Sequence, residues 1–300
     1  MKFSCIVIFA ALIVASTAMV RVAWSPEARA QSAGQIPCKD PRGCPDIIVD
    51  QGKLKQWHVE ELTFGDTDCA VAEGCVPGRG TYLLLRFTSS TPNIGAGDLI
   101  VGDPRAPENE PFFRFAECHR HLHFEEYADY RLWTQAGYTL WQALRAAHPD
   151  ALARDLLAAR PDIASDMLVG RKQGFCVIDL LPYNTPGAGH LRPGQPKYLS
   201  CARNQGISNG YADEYTFLLD CQWIDVTGIK PGKYILEDEV NAERIFAESS
   251  YANNSAAIEV VVPDHQGRGG KGTASLAPKR FVPYGAPCSG CTDRALPAAQ

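Results

Sequence analysis

Cys118-His119-Arg120-His121-Leu122-His123 places three of the chain's seven histidines on alternate positions, immediately after a cysteine. The surrounding residues read as β-strand, and side chains in a strand repeat every second residue. All three imidazoles are therefore expected on one face. Histidine is uncommon at strand core positions, and neutral imidazole ligates both copper and zinc, with copper(II) at the top of the divalent affinity order. The spacing predicts a metal site formed by His119, His121 and His123. It does not choose between zinc and copper, or between catalysis and structure.

Working outward, β-branched and aromatic runs at 82–87, 118–133, 216–227, 233–240 and 256–262 are bounded by Gly, Pro, Asn and Asp, which predicts strands joined by turns. The segment 138–168 differs. It is rich in Ala, Leu, Arg and Asp and is punctuated by Pro149 and Pro161, so it predicts a small helical insert of two short helices. Beyond about residue 263 the chain is rich in Gly, Pro and Ser without periodicity. The expected fold is mainly β: a β-sandwich-like domain over 31–262 with long loops, the insert and several disulfides, followed by an irregular tail over 263–300.

Lys2 precedes an apolar run ending near Val20, and Ala28-Arg29-Ala30 offers a small-x-small cleavage site. Residues 1–30 are thus expected to be a signal peptide cleaved after Ala30, and the mature chain to be secreted or periplasmic, without a membrane anchor. Of 11 cysteines, removing Cys5 leaves an even number for an oxidising compartment. Cys38 and Cys44 bracket a Pro/Gly turn and can pair locally. Cys288-Ser289-Gly290-Cys291 reads as a staple in the tail rather than a redox motif, and it lacks the second CxxC of a zinc ribbon. The formal charge of -5, made more acidic still by loss of the leader, comes without basic clusters. It argues against nucleic acid as a partner.

Four separated stretches resemble the catalytic domain of the lysyl oxidase family, in the family's order. They are Cys69-Ala70-Val71-Ala72-Glu73-Gly74-Cys75, the histidine motif, Gly170-Arg171-Lys172-Gln173-Gly174-Phe175-Cys176, and a long stretch opening at Gln205-Gly206-Ile207-Ser208. The last includes Asp213-Glu214-Tyr215 and Asp220-Cys221-Gln222-Trp223-Ile224-Asp225. It runs on through Pro231-Gly232-Lys233-Tyr234-Ile235-Leu236 to Glu248-Ser249-Ser250-Tyr251-Ala252-Asn253-Asn254. The likeness spans about 46–262, and the short signal and compact domain suggest a secreted bacterial member.

The resemblance implies that His119, His121 and His123 ligate copper and that Lys172 and Tyr215 are the precursors of a lysine tyrosylquinone. It also implies Cys69–Cys118, Cys75–Cys221 and Cys176–Cys201 disulfides. A calcium site would fall on Asp46, Ile47, Glu248, Ser250, Asn253 and Asn254, with Ser250 replacing a family carboxylate. Where animal members carry a further histidine thought to act in proton transfer, this chain places Asp129, a carboxylate able to serve as base if partly buried. The implied activity is oxidative deamination of primary amines, peptidyl-lysine among them, by dioxygen to aldehydes, ammonia and hydrogen peroxide. Two other readings use the same residues: an exported copper carrier or buffer without amine chemistry, and an adhesion module with structural zinc.

Overall fold

The computed structural model describes residues 34–171, 174–183 and 194–264. The leader, Lys172 and the CxxC tail lie outside the described residues. In chain order the strands are β1 Trp57–Phe64, β2 Gly80–Phe87, β3 Ser89–Pro92, β4 Leu99–Gly102, β5 Phe113–Ala116, β6 His121–Glu125, β7 Ala128–Thr134 and β8 Met167–Val169. They continue as β9 Gly174–Phe175, β10 Leu181–Pro182, β11 Gln205–Ile207, β12 Tyr211–Tyr215, β13 Trp223–Asp225, β14 Gly232–Val240 and β15 Ser255–Val262. The helices are α1 Gln51–Leu54, α2 Cys69–Ala72, α3 Gln135–Ala147, α4 Ala153–Ala159 and α5 Pro161–Ala164.

The protein is mainly β, with its strands distributed over several small antiparallel sheets. Their orders are β1-β2-β13, β10-β12-β3, β11-β4, β15-β14-β7-β8 and β5-β6-β9. One hydrophobic core joins them. Phe87 meets Tyr130 edge-on at 4.8 Å, Tyr130 meets Phe175 at 6.0 Å, and Phe175 meets Tyr215 at 4.7 Å. This line of rings, in the edge-to-face arrangement aromatic pairs favour, runs from β2 through β7 and β9 to β12.

The expected strand at 216–227 shrinks to β13. Cys221 adopts φ 65°, a left-handed conformation that breaks an extended ladder, and the Leu219 carbonyl is taken by the Arg86 guanidinium at 2.9 Å. Leu218 is 73% exposed, so the apolar run that suggested a strand is a surface loop.

The insert contains three helices. α3 starts directly from β7, where the Thr134 hydroxyl caps it by accepting from Gly137 N at 3.0 Å. Pro161 opens α5 at its first turn, where its missing N–H costs nothing. These helices cover one face of β7 and β14. Ala128, Tyr130 and Leu132 point into the main core, so Asp129, Arg131 and Trp133 must point the other way. Register sets Arg131 opposite Glu237 and Asp129 opposite Glu239. Trp133, Trp141, Leu156, Leu157, Ile163 and Met167 form a second buried cluster around these charges.

Candidate functional site

β5 and β6 pair with Ala116 opposite His121 and Arg114 opposite His123. Between them the chain reverses in a turn closed by Arg120 N donating to Ala116 O at 2.7 Å, with Arg120 at φ 56°. His119 therefore lies in the turn, outside the strand, which corrects the expectation of three strand positions. The trio still forms. His119 Nδ1 is 3.2 Å from His123 Nε2, and His123 Nε2 is 3.0 Å from His121 Nε2. The two strand residues present Nε2, and the turn residue presents Nδ1.

His121 Nδ1 lies 2.9 Å from the His119 carbonyl. A carbonyl only accepts, so Nδ1 carries the proton and Nε2 is left as the basic nitrogen facing the trio. This is how a second hydrogen bond fixes a ligand tautomer. Metal–nitrogen bonds of about 2.0–2.1 Å put two donors on one ion roughly 2.9 Å apart at a right angle and about 4.1 Å apart when trans. The measured imidazole spacings fall inside that window, so the residues fit a bound first-row metal. Leu122 and Phe124 turn to the opposite side of β6, where Phe124 is fully buried.

Beside this strand lies the segment that follows Lys172. Gly174 and Phe175 pair with Glu125 and Phe124 of β6. The Tyr215 hydroxyl donates to the Cys176 carbonyl at 2.8 Å and accepts from the Cys176 amide at 2.7 Å. Burial, with the nearby Asp213 charge adding to it, pushes the Tyr215 phenol well above its ordinary range. Gln205 locks the arrangement. Its side-chain amide donates to Leu122 O and Cys201 O and accepts from Val177 N. The sequence marks Gln205 only as the start of a family-like stretch and gives it no role, because that role depends on three segments meeting.

Among the described residues four disulfides staple these parts: Cys38–Cys44, Cys69–Cys118, Cys75–Cys221 and Cys176–Cys201. The second bolts the turn bearing His119 to α2, and the fourth ties the Tyr215-binding segment to the loop before β11. Cys288 and Cys291 lie outside the described residues.

Asp129 is placed elsewhere. It pairs with Arg131 at 2.5 Å beneath the insert, on the face of β7 opposite Tyr130, and burial raises its pKa. The structure thus gives it to the insert cluster and not to the group formed by the imidazoles and Tyr215. The reason is strand alternation: Tyr130 faces the aromatic line, so its neighbour cannot.

The oxygen-rich group does assemble in part. Glu248 accepts from Ile47 N at 2.6 Å, and from the Asn241 and Asn254 amides at 2.7 Å each. The Asn253 amide donates to Asp46 at 2.9 Å. Asn253 Oδ1 and Asn254 Oδ1 are buried with no hydrogen-bond partner. Ser250 turns inward on its own loop, its hydroxyl accepting from Ala252 N at 3.2 Å.

A mainly β, disulfide-bonded protein built around a three-imidazole cluster and a sequestered tyrosine is the class these features define. The sequence profile described as Lysyl oxidase matches residues 163–268. The chain is 28% identical over 236 residues to the protein-lysine 6-oxidase of Gallus gallus, covering 74% of this chain and 46% of that protein. It is 29% identical over 236 residues to lysyl oxidase homolog 1 of Homo sapiens, covering 74% and 34%. Against protein-lysine 6-oxidase of Sus scrofa it is 27% identical over 234 residues, covering 74% and 78%. Over this span the chain is similar to members of the lysyl oxidase family. The match spans less than half the length of the chicken and human relatives. Among the described residues no helix is long and apolar enough to cross a membrane.

Proposed function

We propose that the chain is an exported copper amine oxidase that converts primary amines, peptidyl-lysine among them, to aldehydes with release of ammonia and hydrogen peroxide. One observation carries this reading: the histidine strand, the described flank of Lys172 and Tyr215 converge. β6 pairs with Gly174–Phe175, and Tyr215 is hydrogen-bonded to Cys176. His119, His121 and His123 would hold copper, and Lys172 and Tyr215 would form the quinone. Together these groups would supply the electrophilic carbonyl and the redox capacity that the side chains lack.

The chain's own residues do the positioning. The His119 carbonyl keeps His121 in the ligating tautomer. Two backbone hydrogen bonds and the edge of Phe175 hold the Tyr215 ring in one orientation. The disulfides suit an oxidising compartment, in keeping with export.

The test is chemical. Copper-loaded, aerobically matured protein should yield a peptide containing Lys172 cross-linked to one containing Tyr215, and should release peroxide from an amine. Recovery of the two peptides unlinked from fully loaded protein would rule the reading out.

A calcium ion at Asp46, Ile47, Glu248, Asn253 and Asn254 accompanies this proposal, supported by the two buried amide oxygens that lack partners. Hard oxygen donors are what calcium takes. Ligand at a hundred times its Kd adds about 2.7 kcal/mol to stability, worth roughly 5–10 °C in a domain of this size. Calcium should therefore raise the melting temperature by about that much, and Glu248→Gln should remove most of the gain. A melting curve indifferent to calcium would dispose of the site.

A further inference from the structure

Glu73 follows α2 directly, inside the loop bracketed by Cys69 and Cys75. Its backbone amide closes the helix onto Cys69 O at 2.8 Å, so its carboxylate is not needed for capping. Gly74 then reverses the chain at φ 73°, where an L side chain is disfavoured. The two flanking cysteines are bonded to Cys118 and Cys221. Because Cys118 precedes His119, the loop carrying Glu73 is bolted to the turn carrying that histidine.

The carboxylate is turned inward. Glu73 Oε1 is buried, has no hydrogen-bond partner, and lies 3.8 Å from His119 Nδ1, the nitrogen that faces the trio. Glu73 Oε2 contacts Cys221 Sγ at 3.9 Å. That sulfur is bonded to Cys75, so it has no proton to give. The Cys75 and Cys221 sulfurs near Glu73 are likewise no metal ligands, since each is used up by the other.

A buried carboxylate oxygen without a donor is an unusual arrangement that calls for a cation. The separation of 3.8 Å sits within the window of about 2.9–4.1 Å open to two donors on one ion, alongside the imidazole spacings of 3.0 and 3.2 Å.

We infer that Glu73 is a fourth protein donor at the histidine centre, adding an oxygen ligand to the three imidazoles. This rests on the proposal that the trio holds copper. One negative charge from the protein partly neutralises a divalent ion, and a mixed N₃O set suits copper(II). A carboxylate also occupies a coordination position that three imidazoles alone would leave to water.

Copper affinity and electron paramagnetic resonance of the copper-free full chain, titrated with copper(II), test this without reference to turnover. Glu73→Gln should bind copper about 10–100-fold more weakly, the range seen when partners of metal ligands are lost, with a changed copper hyperfine splitting. A purely structural role would leave that splitting alone. Glu73→Asp keeps the charge at shorter reach and carries the test if the Gln variant fails to fold. It should show a spectrum between those of wild type and the Gln variant. Wild-type affinity and an unaltered spectrum in the folded variants would overturn the inference while leaving the histidine centre standing. Failure of wild type itself to take up copper would overturn both.

Discussion

Replacing Tyr215 by Phe should abolish amine turnover while leaving copper binding and the fold in place. The loss should be at least about a thousandfold, because enzymic accelerations of about 10⁶ and upward would here rest on a group that only the phenol can become. The ring's packing against Phe175 is kept. What disappears is one oxygen that both donates to and accepts from the Cys176 peptide. An orphaned buried amide or carbonyl costs about 1–3 kcal/mol, so the melting temperature should fall by several degrees without loss of cooperativity. The three imidazoles stand on a different hairpin, and the copper stoichiometry should be unchanged. Lys172→Arg should give the same loss of turnover, since a guanidinium stays protonated and is a poor nucleophile. Peroxide release from an amine, read beside copper content, a melting curve and the presence of the cross-linked peptide, checks these statements. A Tyr215→Phe protein turning over at the wild-type rate would mean that the phenol is not the redox precursor.

Part of this site is visible from local sequence, and the reason lies in the range of the interactions. The histidine spacing and the strand-like runs at 82–87, 233–240 and 256–262 are short-range signals, and they fall on β2, β14 and β15. Arg120 is not a residue that advertises a left-handed turn, so strict alternation through it predicts His119 on the strand, whereas its φ of 56° leaves His119 in the turn. The loop at 216–222 carries Phe217, Leu218 and Leu219 and looks like a strand. Burial decides the matter, and burial depends on what lies opposite. Asp129 is the clearest case. Which face of β7 meets the imidazole side and which meets the insert follows from its pairing with β14, more than a hundred residues away. Glu73 was visible only as a residue between two cysteines, until the disulfides brought its loop to His119.

The insert cluster supplies the largest expected effect on stability. Arg131 is 2% exposed and lies among three carboxylates, at 2.5 Å from Asp129, 2.5 Å from Glu239 and 3.4 Å from Glu237. Glu237 also accepts from the Trp133 and Trp141 indoles at 2.9 and 3.1 Å, and Glu239 from Arg145 at 2.7 Å. Arg131→Met keeps most of the volume and removes the charge. Arg145, which reaches only Glu239 among these three, cannot replace it. Breaking a buried ion pair from one side costs about 3–5 kcal/mol, so the urea midpoint should drop sharply and proteolysis should begin in α3–α5. The loss should depend on pH in a definite sense. Burial already raises the pKa values of Asp129 and Glu237 above their unfolded values, against the pull of Arg131. Without the guanidinium they rise further. A carboxyl raised on folding keeps its full contribution below the unfolded pKa and loses it as pH climbs through the folded value. The variant should therefore be closest to wild type near pH 4–5 and furthest from it near pH 8. Urea titrations at those two pH values decide the point: a deficit below about 1 kcal/mol, too small for a broken buried pair, or one equal at both, would mean that apolar packing of Trp133 and Trp141 alone holds the insert.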